Sequence, residues 1–146
     1  MTAPQSSRKA EAAELYAAQR APERPWVGQF QSEWELRSGD DRLPKWMRVA
    51  ALAMGKHRAN GHAQFAPGDL ALTFGEVDQD TGEIFPDRHV GEHINRAVAL
   101  GFLASGSGTR CLIVPGHTYR TAPGNPTEPC RWHDRASMRA RRKSPV

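Results

Sequence analysis

The stretch that decides the fold runs from Asp87 to Pro115, DRHVGEHINRAVALGFLASGSGTRCLIVP. Val90, Ile94, Ala97, Val98 and Gly101 recur at helical spacing, while Arg88, Glu92, Asn95, Arg96 and Ala99 fall on the opposite side. The spacing predicts a helix with one apolar and one polar face. Asp87, following Pro86, suits its N-cap. Gly91 costs about 1 kcal/mol relative to alanine inside a helix, which predicts a close crossing by another helix. Gly101 stops the helix, and Phe102 and Leu103 begin a strand. Ser105-Gly106-Ser107-Gly108 is then a hairpin tip, because its glycines supply the positive φ of a tight reversal. Thr109 to Val114, rich in β-branched residues, returns as the second strand and Pro115 ends it.

Two further helices precede this unit. Trp46, Val49, Ala50, Ala53 and His57 mark an amphipathic helix that starts at Pro44 and ends near Asn60-Gly61. Ala66-Pro67-Gly68-Asp69 opens a short second helix with Leu70, Leu72 and Phe74, stopped by Gly75. EVDQDTGEIF between the second and third helices is an extended loop or a small hairpin. Its acidic residues do not meet the offsets of a calcium loop, since His89 stands at the twelfth position.

Outside this core the chain is looser. Residues 1–25 read as a flexible N-terminal extension, residues 26–115 as the domain, residues 116–134 as a proline-rich segment, and residues 135–146 as a basic disordered tail. Trp26, Phe30 and Trp34 stand at i, i+4 and i+8 and would line one helical face, either capping the core or anchoring a partner. The fold class is mainly α with a small β-hairpin, an α+β arrangement of three helices closed by that hairpin. No run approaches the roughly 18–20 apolar residues of a membrane span, and residues 1–25, lacking a continuous apolar core, are not expected to act as a secretion signal. A cytoplasmic location is expected.

Charge is uneven along the chain. Residues 1–104 hold twelve Lys or Arg against fourteen Asp or Glu, a net of −2, whereas residues 105–146 hold eight against two, a net of +6. Basic groups gathered on the hairpin and tail suit a polyanion met from one side. Arg88, His89, Glu92, Asn95 and Arg96 on the third helix, Arg110 after the hairpin tip, and Arg139, Arg141 and Arg142 in the tail are the candidate contacts. Arg can pair with guanine or phosphate, Asn with adenine, and Glu with cytosine. The same Arg88 and Glu92 at i, i+4 could instead form an ion pair.

Only two cysteines occur, Cys111 and Cys130. With His117 and His133 they make a set of two Cys and two His that could complete a tetrahedral zinc shell and pin the proline-rich segment to the returning strand. The Cys130-x2-His133 pair has knuckle spacing, while the gap from Cys111 to His117 fits no standard finger. Such a zinc is structural, since four protein ligands leave no open position. Catalytic signatures are lacking: there is no phosphate-cradling glycine loop and no nucleophile elbow. His89, Glu92 and His93 follow the order of an inverted zinc-protease motif, but no third ligand accompanies them.

Residues 43–75, LPKWMRVAALAMGKHRANGHAQFAPGDLALTFG, and 89–117, HVGEHINRAVALGFLASGSGTRCLIVPGH, carry a resemblance. Over about half the chain they resemble small winged helix-turn-helix proteins of actinobacterial phages and mobile elements. The resemblance implies a non-enzymatic, sequence-specific binder of double-stranded DNA, a regulator or replication factor. Its third helix would read the major groove, with Arg110 on the wing. The EVDQDTGEIFP insertion departs from the tight turn of the simplest members. A homodimer is compatible with this reading, and neither a membrane nor a small-molecule substrate is implied. The alternative is a winged-helix module that docks a host transcription or replication protein through Trp26, Phe30 and Trp34.

Overall fold

A computed structural model of the chain describes residues 10–14, 25, 27–119 and 121–134. Helices α1 (Gln31–Ser38) and α2 (Lys45–Lys56) are followed by strand β1 (His62–Gln64) and the short helix α3 (Asp69–Thr73). Strands β2 (Glu76–Val77) and β3 (Ile84–Phe85), helix α4 (Val90–Ala99) and strand β4 (Cys111–Ile113) complete the order. Residues 10–14 are also helical. The class is α+β, with two antiparallel two-stranded sheets, β1–β4 and β2–β3. Among the described residues no helix is long and apolar enough to cross a membrane.

Helix α2 is the centre. Its Val49, Ala50, Leu52 and Ala53 are buried with Leu70 and Phe74 of the α3 region, Val90, Ile94 and Ala97 of α4, and Ala63, Leu112 and Val114 of the β1–β4 ribbon. The helix ends at Lys56, earlier than the sequence spacing suggests, because His57 turns extended. Gln31 of α1 donates its side-chain amide to the carbonyls of Met54 (3.1 Å) and His57 (3.0 Å), satisfying acceptors that the last turn leaves open. The close helix crossing lies at Gly55 of α2, where an added Cβ would stand 3.0 Å from the Glu35 nitrogen. Gly91 has nothing within 4 Å of such a position, so the crossing expected there belongs to Gly55.

Lys45 opens α2 with a charge unfavourable to the helix dipole. Asp87, its side chain only 4 % exposed, answers at 2.8 Å and also lies 3.4 Å from His93. Asp87 does not cap α4 as expected: its Oδ1 accepts the His89 amide (2.7 Å), and the helix begins one residue beyond, at Val90. Burial pushes the Asp87 carboxyl up, but the Lys45 ammonium and the His89 amide outweigh it and hold the group below the usual carboxylate range. At the far end Gly101, at φ 81°, closes α4 with paired bonds from Gly101 N to Val98 O (3.0 Å) and Phe102 N to Ala97 O (2.9 Å).

Phe102 and Leu103 are not a strand. Leu103 is buried in the core, and Phe102 meets Trp46 edge to face at 5.3 Å. Strand β4 instead pairs with β1, in the register His62↔Ile113, Ala63↔Leu112, Gln64↔Cys111. The ladder runs on through Val114 N to Gly61 O (2.8 Å) and Phe65 N to Arg110 O (2.9 Å). The glycine-rich loop folds back on the other edge of β4 by Ala104 N to Ile113 O (2.8 Å) and Ile113 N to Ser107 Oγ (2.9 Å). The loop between α3 and α4 is the small hairpin β2–β3. Phe30 stands 81 % exposed before α1 and Trp34 is half-buried on it, so these two do not share one helical face; Trp26 lies outside the described residues.

Candidate metal centre and polar helix face

Alternation along the β1–β4 ribbon gives it two unlike faces. Ala63, Leu112 and Val114 enter the apolar core. His62 and Cys111, diagonal neighbours in the register, turn the other way. That second face is covered by a C-terminal turn carrying Cys130 and His133. The turn is closed at both ends by Cys130 N to Asp134 Oδ2 (2.7 Å) and Asp134 N to Cys130 O (2.9 Å).

One ligand atom from each of His62, Cys111, Cys130 and His133 lies within 4.8 Å of the others. His62 Nδ1 is 3.3 Å from Cys111 Sγ, His133 Nδ1 is 3.3 Å from Cys130 Sγ, and the two sulfurs are 3.6 Å apart. A tetrahedral shell with zinc bond lengths has sulfur–sulfur edges of about 3.8 Å and sulfur–nitrogen edges of about 3.5 Å. The cluster therefore has the size and donor set of a structural zinc shell. Both cysteines are buried and free, and their separation is far beyond a disulfide bond.

Outer contacts suit the same purpose. His133 Nε2 donates to the Gly106 carbonyl at 2.7 Å, which leaves the Nδ1 lone pair facing the sulfurs. The Gln64 amide donates toward Cys130 Sγ at 3.7 Å. Burial, reinforced by the neighbouring Cys130, pushes the Cys111 thiol up. Burial also raises Cys130, but its hydrogen bond with His133 prevails and draws the thiol below its usual range. Burial and the His133 charge hold His62 down.

The sequence expectation is corrected at one ligand: the fourth donor is His62, not His117. A five-residue gap cannot return the chain to Cys111 once β4 runs out into the Pro115 turn. His117 lies partly buried there, beside the groove formed by Phe30, Trp34, Met54 and Tyr119. His62 reaches the site because a strand absent from the sequence reading pairs with β4. Its signal was the alternation of His62 and Gln64 with Ala63, too short to register as a strand.

Helix α4 keeps its polar face outward. Glu92, Asn95, Arg96 and Ala99 are exposed, as are Arg88 and His89 just before the helix. The only ion pair within this set joins His89 Nδ1 to Glu92 Oε2 at 3.5 Å, so the Arg88–Glu92 pair does not form. His93 turns away to Asp87, and the inverted protease motif brings no metal cluster together among the described residues. Arg110 is already engaged. Its guanidinium lies 3.7 Å over the Trp132 ring and its Nε donates to the Phe65 carbonyl (3.3 Å), which fastens the C-terminal turn to the ribbon. Arg139, Arg141 and Arg142 lie outside the described residues.

Six of the other nine described Lys and Arg are also engaged. Arg42 pairs with Asp40, Lys45 with Asp87, Lys56 with Glu35 and Arg58 with Glu128, while Arg48 donates to the Ser38 carbonyl and Arg37 covers Trp34. Among the described Lys and Arg side chains, Arg88, Arg96 and Arg131 alone have no such partner. No family model, curated protein or solved structure matches the chain.

Proposed function

We propose that this chain is a non-enzymatic, sequence-specific binder of double-stranded DNA, a winged helix-turn-helix stapled by a structural zinc ion. The observation that carries the reading is the distribution of uncommitted charge. Of the ten described Lys and Arg, four are paired with carboxylates and three more are engaged by carbonyls or rings, whereas Arg88 just before α4 and Arg96 beside Asn95 on its exposed face are not. Guanidiniums spared from internal pairing are available to phosphates and guanine edges, and the amide to adenine. The helix–strand–helix–helix–strand order of α2, β1, α3, α4 and β4 supports the same reading, with the loop 104–110 as a short wing. Zinc at His62, Cys111, Cys130 and His133 holds the segment after residue 115 against that wing. All four positions are filled by protein, so the ion organises structure and does no chemistry on a substrate.

Arg96→Ala should weaken binding by about 1–3 kcal/mol and relax preference at one base position. Gel shifts with enriched and random duplexes measure both. A chain that shifts no duplex at low salt refutes the reading. The second reading, a host-protein dock, draws on Val27, Phe30 and Leu36, which are 85, 81 and 71 % exposed near α1. The same assay separates the two, because a protein-only dock leaves every duplex unshifted.

A further inference from the structure

We infer that the metal-binding turn Cys130-Arg131-Trp132-His133 is itself a second DNA contact, in which Arg131 meets a backbone phosphate from a mount that zinc holds rigid. The inference rests on the DNA-binding reading and adds a contact outside α4.

Four observations converge on Arg131. It is the one uncommitted cation outside the α4 region among the described residues, and it is exposed. It sits between two members of the metal cluster, with Cys130 buried on one side and His133 on the other. The turn is closed by the reciprocal bonds between Cys130 and Asp134, so its backbone has little freedom. The side chains beside it have other tasks: Trp132 lies under Arg110, and His133 holds the Gly106 carbonyl at the tip of the loop that follows α4.

That last contact matters for placement. The loop 104–110 joins α4 to β4, and the turn is fastened to it at Gly106 and at Arg110. Arg131 is thereby carried on the wing side of the fold and not on a loose terminus. A charge fixed in advance loses less conformational entropy on meeting a phosphate than one on a mobile chain. A phosphate contact also gives affinity without sequence preference.

The test uses the full chain loaded with zinc and one enriched duplex, with affinity measured across a salt series. Arg131→Ala should lower affinity several-fold at low salt and reduce the slope of log affinity against log salt by about one. It should do so equally for enriched and random duplexes, whereas Arg96→Ala discriminates between them. Arg131→Lys should restore the slope. Unchanged affinity and slope in Arg131→Ala, with Arg96→Ala still defective, overturns the inference and leaves the α4 reading standing. Wild-type protein that binds no duplex overturns both. After zinc is removed by a chelator, wild type and Arg131→Ala should bind alike; a persisting difference shows that Arg131 needs no metal mount and overturns that part.

Discussion

Helix α4 and the segment from Pro115 to Asp134 sit on the same small core but are held there by different means. The helix is fixed by a repeating apolar stripe, in which Val90, Ile94 and Ala97 are all buried. The C-terminal segment has no stripe. It is attached by scattered polar contacts to residues some 60–70 positions away in the chain: Asn60 Nδ2 to Glu128 O (3.0 Å), Tyr119 Oη to Ala59 O (3.1 Å), and the Arg58–Glu128 ion pair. Tyr119 packs against the edge of the core, and the deepest anchor is Cys130, which meets Cys111 and His133. An element held by periodic burial is stable as part of the core, whereas one held by surface hydrogen bonds needs a strong local tie.

The contrast breaks most sharply at the metal ligands. Structural zinc contributes on the order of 10 kcal/mol to the fold it organises. In native mass spectrometry His62→Ala should lose the bound zinc, while His117→Ala keeps it. Limited proteolysis of the zinc-free variant should cut first between residues 115 and 134 and leave α4 protected. Zinc retained by His62→Ala and lost by His117→Ala would restore the ligand set expected from sequence.

A smaller effect is expected on the helix side. Ile94→Ala leaves a cavity in the core and should cost about 2–5 kcal/mol in chemical denaturation. The loss should be global, with no selective release of the C-terminal segment. A change confined to that segment would show that the two regions are not separately anchored.

The smallest concerns Asp87, which joins the start of α4 to α2. Its folded carboxyl is held below its unfolded value, so the stability it supplies is fully present above about pH 4 and is lost as pH falls through the lower folded value. Asp87→Asn should cost about 1–3 kcal/mol at neutral pH. It should also flatten the acid limb of the stability profile; an unchanged limb would remove Asp87 as its source.

The same contrast explains what the sequence disclosed. Burial along α2 and α4 follows the helical repeat, so Val49, Ala53, Ile94 and Ala97 could be placed in the core from spacing alone. The glycine stop at Gly101 was legible for the same local reason. Strand β1 was not, because three residues give too little alternation and its partner lies some fifty positions downstream. His62 was hidden with it, which is why the cysteines and His133 were found as ligands but the fourth donor was misassigned. Arg110 was legible as a basic residue near a loop tip, but its stacking on Trp132 depends on a turn that no local pattern announces.

The two-faced ribbon has a consequence for how the chain reaches its fold. With only three pairs, β1 and β4 hold too few hydrogen bonds to choose their own alignment. A slip of one residue would turn Cys111 toward the core and Leu112 toward the ligands, exchanging the faces. Only the native alignment assembles His62, Cys111, Cys130 and His133 around one point, so an ion bound there would reward that pairing alone. With the proposed zinc, the centre would thus act on the folding chain as a proofreader of strand alignment.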